Sequence, residues 1–265
     1  ENVKTLREYG CKVGIKVTVT AFAQRITVWE SEDVTGYGGT LWQQAIGLTH
    51  FLLDPSHSWQ KTNILELGCG LGLVAIAAAK RGANVIASDR QLEALALAEE
   101  NSTRNNTKMI VRAVDWVNTR HRQALLKEDI DLVLGAAVIY HIDMIKHLVE
   151  TIKAALRPAE RKINNSEEKK SGFVLNVSEA GAKNIGEKNN NAEGFQVTCP
   201  VALITVGNEK QRELMFRQVV IDSGLVLKEV EYEYYDEKSE DDIQHGPKPS
   251  KATRNRCRIF VITLG

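Results

Sequence analysis

Cysteine is scarce here and poorly placed for cross-linking. Cys11, Cys69, Cys199 and Cys257 lie far apart, with no CxxC pair and no histidine beside them at ligand spacing. That pattern disfavours a structural zinc site or a dense disulfide framework. It fits a reducing compartment, so a cytoplasmic protein is expected, with the nucleus also open. An excess of charge is lacking too: 34 basic residues balance 34 acidic ones. No net field therefore argues for nucleic acid or an acidic membrane surface, although a local patch stays open. Long apolar runs are also missing, since the longest, Leu71 to Ala79, is far too short to cross a bilayer. No internal repeat is apparent. What is present is an ordinary globular composition, 43% hydrophobic and 26% charged over 265 residues, which suits one α/β domain with decorations.

The chain changes character near residue 60. Val13 to Thr20 and Gln24 to Glu30 alternate with the period of half-buried strands. A loop with Gly36, Gly38 and Gly39 follows, then helical spacing from Leu41 to Leu53, stopped by Asp54-Pro55. We read residues 1–57 as a β-extension with a lead-in helix, and 58–265 as the main domain. From Asn63 the pattern alternates. Strands are expected at Asn63–Leu67, Ala83–Ser88, Met109–Val114, Ile130–Ala136 and Gly172–Val177. Helices are expected at Leu71–Arg81, Leu92–Arg104 and Ile142–Leu156. Such alternation implies a parallel sheet covered on both faces. Helix Glu209–Ser223 and strands Leu225–Tyr234 and Arg256–Leu264 come last, and two strands joined without a helix suggest an antiparallel hairpin at a sheet edge. Ala159–Ser171, Lys183–Gly194 and Asp236–Asn255 are too polar to offset ordering entropy, and read as mobile surface insertions.

The central signal is Glu66-Leu67-Gly68-Cys69-Gly70-Leu71-Gly72, between the first parallel strand and its helix. Glycines allow a sharp turn and let a ligand approach the backbone closely. A dinucleotide fingerprint would read G-x-G-x-x-G; here the third glycine comes one residue early, which disfavours a nicotinamide oxidoreductase. Glu66, two positions before the first glycine, suits the α-amino group of S-adenosylmethionine, which has no pyrophosphate to seat. Asp89 ends the second strand about 20 residues on, where a carboxylate can accept from both ribose hydroxyls. It can equally cap the helix that follows, and the two roles are compatible. Asp115-Trp116 follows the third strand, either as an adenine contact or as a helix cap before a core aromatic. Trp42 either walls the cofactor pocket or fills the core.

The E-x-G-C-G-x-G-L turn, Asp89, Asp115-Trp116 and the lead-in Gly39-Thr40-Leu41-Trp42 resemble methyltransferase family 16, over roughly Ile26 to Leu156. The resemblance implies a seven-strand Rossmann-like class I methyltransferase sheet, mostly parallel, with an antiparallel C-terminal hairpin and a short N-terminal β-extension. It also implies an S-adenosylmethionine pocket formed by Trp42, Glu66, Gly68, Gly70, Asp89, Asp115, Trp116 and Ala136. The implied activity is methylation of a protein lysine, with a protein partner and no metal or membrane.

One stretch departs from the family. After the fourth strand the family carries an acidic residue, two variable residues and an aromatic, whereas Ala137-Val138-Ile139-Tyr140 keeps only the aromatic. Glu179, expected just past the fifth strand, and Asp143 are candidates to replace the carboxylate, each alternatively a surface acid. His141 adjoins the site as a base or as a solvent-facing or capping residue. Tyr140 and Glu179 are therefore the expected catalytic residues, with Trp29 or Tyr37 helping Tyr140 to line a channel that delivers a neutral amine. Two other functions stay open: a class I methyltransferase for a small molecule or another side chain, and a cofactor-binding protein that has lost catalysis.

Overall fold

In the computed structural model, which describes residues 3–157, 174–178, 194–198, 200–207, 209–235 and 254–264, a single 3-10 turn at Leu6–Tyr9 precedes an antiparallel hairpin. Its strands are β1 (Lys16–Ala21) and β2 (Gln24–Trp29). The connecting residues, Phe22 and Ala23, both have positive φ, as the twist of a two-residue hairpin requires. Helix α1 (Gln43–Leu53) follows. Then come β3 (Asn63–Leu67), α2 (Leu73–Lys80), β4 (Asn84–Asp89), α3 (Leu92–Arg104), β5 (Ile110–Ala113), α4 (Thr119–Leu125), β6 (Leu132–Ala136) and α5 (Ile142–Leu156). The remaining elements are β7 (Val174–Ser178), β8 (Gly194–Thr198), β9 (Val201–Thr205), α6 (Lys210–Asp222), β10 (Leu225–Tyr235) and β11 (Arg254–Leu264).

Seven strands form the central sheet in the order β10-β11-β9-β6-β3-β4-β5. β5, β4, β3, β6 and β9 run parallel, while β11 is antiparallel to both β9 and β10. The architecture is the mostly parallel seven-strand sheet with a C-terminal antiparallel hairpin that the sequence led us to expect. One strand was misplaced, however. The partner of β6 is β9, with Leu132 opposite Val201, and not the run 172–177. That run holds β7, which among the described residues pairs with β8 in a separate two-stranded sheet. Both runs are short and apolar, and local pattern does not say which of two such runs enters the main sheet. Helix α4 was also unforeseen: it is short and mostly polar, and Asn118 caps it by accepting from Arg120 N–H at 3.0 Å. Of the three segments read as insertions, 159–171, 183–193 and 236–253 lie outside the described residues, while Gly194 falls in β8 and Arg254 and Asn255 in β11.

Period-2 alternation sorts the strand residues between two buried layers. Ile64, Val85, Ala87, Leu132, Leu134, Val201, Leu203, Ile259 and Val261 face α1, α2 and α3. Leu65, Leu67, Ile86, Val133, Ala202, Ile204, Phe260 and Ile262 face α5 and α6, where Phe216 stacks on Phe260 with ring centroids 6.0 Å apart. Residues of the hairpin and of α1 belong to the first of these layers, so the N-terminal part shares a core with the sheet.

The hairpin is fixed by two asparagines, Asn101 in α3 and Asn105 at its C-cap. Asn101 Oδ1 accepts from Trp29 N–H at 2.9 Å, and its Nδ2 donates to Trp29 O and Leu71 O. Asn105 repeats the pattern at Thr27 N and O. Two side-chain amides thus occupy the edge of β2 as a further strand would, and protect it from pairing elsewhere.

Candidate active site

At the carboxyl ends of β3, β4 and β6 the glycine turn borders a cavity, where an open α/β sheet holds its ligands. Gly68 and Gly70 have φ of +69° and +50°, which an L side chain rarely adopts. A Cβ on Gly68 would stand 3.0 Å from Val138 Cγ1, and one on Gly70 3.2 Å from the carbonyl oxygen of Gly38. The 36–39 loop of the N-terminal part therefore closes directly onto the glycine turn, and Gln91 Nε2 holds it there through Thr35 O at 2.9 Å.

Two carboxylates meet at this end. Glu66 shares the face of Ile64 by strand alternation, is 2% exposed, and its Oε2 has no hydrogen-bond partner. Burial pushes its carboxyl up to about 8; the Ala75 N–H opposes this, and the nearby Asp89 charge adds to it. Asp89 Oδ2 accepts from Gly70 N–H at 3.1 Å and Oδ1 from Gln91 N–H at 3.0 Å, so it grips the glycine turn and steadies the entry to α3. Burial also raises the Asp89 carboxyl, against the pull of those two N–H groups.

The far wall is aromatic. Trp116 is buried in the second layer and also lines the cavity, with its ring against Gly68. Asp115 lines the cavity too; its Oδ1 accepts from Val117 N–H at 3.0 Å. Capping of the following helix falls to Asn118, so Asp115 is not a helix cap. Trp42 is 40% exposed and therefore not a core filler; its Nε1 donates to Tyr37 O at 3.0 Å. Tyr37 is the hub of the mouth, with ring centroids 5.7 Å from Trp42, 5.0 Å from Tyr140 and 6.0 Å from His141. Burial raises the Tyr140 phenol, with the Arg90 cation opposing. Arg212 on α6 donates to Tyr140 O and fixes the β6–α5 loop from behind.

The structure thus brings Trp42, Glu66, Gly68, Gly70, Asp89, Asp115, Trp116, Ala136 and Tyr140 to one cavity. It does not bring Trp29 or Asp143. Trp29 ends β2, with the Arg104 guanidinium of α3 over its ring at 4.6 Å from the centroid, and Asp143 is exposed in the first turn of α5. Glu179 lies outside the described residues. The strand it was expected to follow is not in the main sheet, so the reasoning that aimed it at this crevice no longer holds. Arg90, Gln91, Val138 and Met144 line the cavity without having been singled out. Only the adjacency of Arg90 and Gln91 to Asp89 offered a signal. Among the described residues there is no group of three His, Cys, Asp or Glu side chains placed to hold a metal ion.

Residues 21–179 match the family described as lysine methyltransferase. Among curated relatives, the mouse protein N-lysine methyltransferase METTL21A is 31% identical over 122 residues, covering 44% of this chain and 55% of that protein. The mouse protein-lysine methyltransferase METTL21E is 32% identical over 135 residues, covering 48% and 54%. The chain spans about half the length of these relatives. Among solved structures, a precorrin-8w decarboxylase from Methanobacterium thermoautotrophicum is similar in fold, with a TM-score of 0.50 and 17% identity, covering 89% of this chain and 96% of that one. The family match takes in more than half of the chain, including the glycine turn, both strand-end aspartates and the aromatic mouth, and on that extent the chain belongs to the lysine methyltransferase family.

Proposed function

We propose that this protein transfers a methyl group from S-adenosylmethionine to the side-chain amine of a lysine in a protein substrate, and that it works in the cytoplasm. The observation that carries the reading is Glu66: a buried carboxyl with an unpartnered oxygen beside two left-handed glycines, in a cavity where a ligand cation would draw it into its ionised form. An α-ammonium group is such a cation, and Asp89 and Asp115 stand ready for the ribose and the adenine edge, with Trp116 as a floor for the ring. The residues present fit the cofactor. Bound there, it supplies an electrophilic methyl on a sulfonium.

This chain's own residues then align and desolvate. Trp42, Tyr37 and Tyr140 frame a mouth that excludes water and favours an amine without its charge. Residues 1–57 serve as the extension that shapes this entry, through the 36–39 loop and Trp42.

Calorimetry with S-adenosylmethionine, its demethylated product and NAD tests the reading. Binding of the first two alone is expected. Asp89→Ala should lose about 1–3 kcal/mol of that affinity, because charge-assisted hydrogen bonds disappear and the Gly70 N–H is released. No heat with either form, or tight NAD binding, would sink the proposal.

A further inference from the structure

We infer that the His141 imidazole is the group that takes the proton from the incoming lysine ammonium, in place of the carboxylate missing at position 137. The inference rests on the reading of the site as a lysine methyltransferase.

A lysine side chain is mostly ammonium at neutral pH and has no lone pair to attack with. Ala137 lines the cavity but brings no polar atom. The acids of the cavity are engaged elsewhere. Glu66 lies at the buried glycine end, Asp89 accepts from Gly70 and Gln91, and Asp115 accepts from Val117. The Tyr140 phenol is raised by burial and is no base.

His141 is differently placed. It sits four residues beyond Ala137 on the same β6–α5 loop, at the N-cap position of α5, yet makes no side-chain capping bond. Its ring is exposed and stands edge-on to Tyr140 at 5.1 Å and to Tyr37 at 6.0 Å between centroids, so it borders the mouth from the solvent side. The charged and titratable groups near it, among the described residues, come from four elements. Tyr37 comes from the N-terminal loop, Tyr140 from its own loop with Arg90 beyond, Asp143 from the first turn of α5, and Arg212 from α6, which is paired with Glu209 and bound to Tyr140 O. Imidazole is the side chain whose ordinary titration lies nearest neutrality, so it can accept a proton there and return it to water.

The step balances. The ammonium proton passes to the imidazole, leaving a neutral amine. The amine lone pair forms the new N–C bond as the S–C bond opens, its electron pair staying on sulfur, and the positive charge moves from sulfur to the methylated nitrogen. The imidazolium then gives its proton to solvent.

The test uses the full chain, methyl-labelled cofactor and a heat-treated cell extract as acceptor, with label counted on lysine after hydrolysis across pH 6–10. We expect His141→Gln to bind cofactor as the native protein does, to transfer at least about tenfold more slowly near pH 7, and to regain rate as pH rises. Added imidazole should restore transfer to His141→Ala, which a purely structural role would not allow. Label on lysine with an unchanged rate and pH profile in His141→Gln overturns this assignment alone. Cofactor binding by the native protein with no label on lysine overturns the transfer reading itself, and His141 falls with it.

Discussion

Glu66 is where the fold leaves a buried carboxyl oxygen without a partner. Its carboxyl, raised to about 8 chiefly by burial, holds its proton in the empty protein at pH 7. A ligand ammonium beside it favours the ionised form, so binding should expel a proton. The measured heat at pH 7 should then differ between phosphate and Tris by up to one proton's ionisation enthalpy, and affinity should climb towards pH 8. Glu66→Gln should lose that buffer dependence along with part of the affinity. Equal heats in both buffers for the native protein would discard the linkage. The stability consequence has a definite sign. The folded value lies above the ordinary 4.5, so the unfolded chain releases this proton first, and the empty protein should lose stability from about pH 4.5 up to about 8. Ala137 poses a second residue-scale question, because its φ is +56° at a position that is not glycine. An L side chain there costs about 1–2 kcal/mol. Ala137→Gly should raise the melting midpoint by about 2–4 °C, and Ala137→Asp should be tolerated, since aspartate enters this region more readily than most residues. A lower midpoint for the glycine variant would contradict the left-handed backbone. The departure at 137 and the acidic positions 66, 89 and 115 were legible in the sequence. The left-handed turn at Ala137 was not, because alanine carries no mark of φ.

At the scale of elements, α3 shows what periodicity can and cannot convey. Its span and that of α5 follow from the apolar spacing, and both match expectation at each end. Nothing in that spacing reveals that Asn101 and Asn105, an i, i+4 pair, clamp β2 from the helix. A buried asparagine announces neither its partner nor its distance along the chain. The clamp also reaches the site, since the Asn101 amide that holds Trp29 O also holds Leu71 O in the glycine turn. Asn101→Leu would strand the Trp29 N–H, the Trp29 carbonyl and the Leu71 carbonyl. A stranded buried group such as the Leu71 carbonyl costs about 1–3 kcal/mol and the half-buried Trp29 groups add to it, so denaturant unfolding should show a loss of at least about 2 kcal/mol. Cofactor affinity should weaken as well, because the glycine turn loses a tether. A variant within about 0.5 kcal/mol of the native protein would show that water or a rearranged neighbour replaces the amide.

The whole molecule depends on one crossover that the sequence does not resolve. Two apolar runs, 172–177 and 201–205, compete for the place beside β6, and pairing across the sheet decides between them. Local pattern is blind to that choice, because either run makes a plausible strand. In the fold, β9 takes the place in parallel register with β6, so the connection from β6 through α5 ends at Val201. Connections between a helix and the next parallel strand usually need only about 2–6 residues. The long span from the end of α5 to β9 is thus more than such a connection needs, and among the described residues its two strands pair with each other and not with the main sheet. Replacing residues 159–199 with a flexible linker of about four residues should therefore leave one cooperative unfolding transition and cofactor affinity within about twofold. The same deletion removes Glu179. Methyl transfer that survives it would exclude that carboxylate from catalysis. Transfer lost with cofactor binding intact would return the segment, Glu179 included, to the acceptor side of the site. A deletion that cannot fold at all would mean that the span between α5 and β9 is part of the core after all.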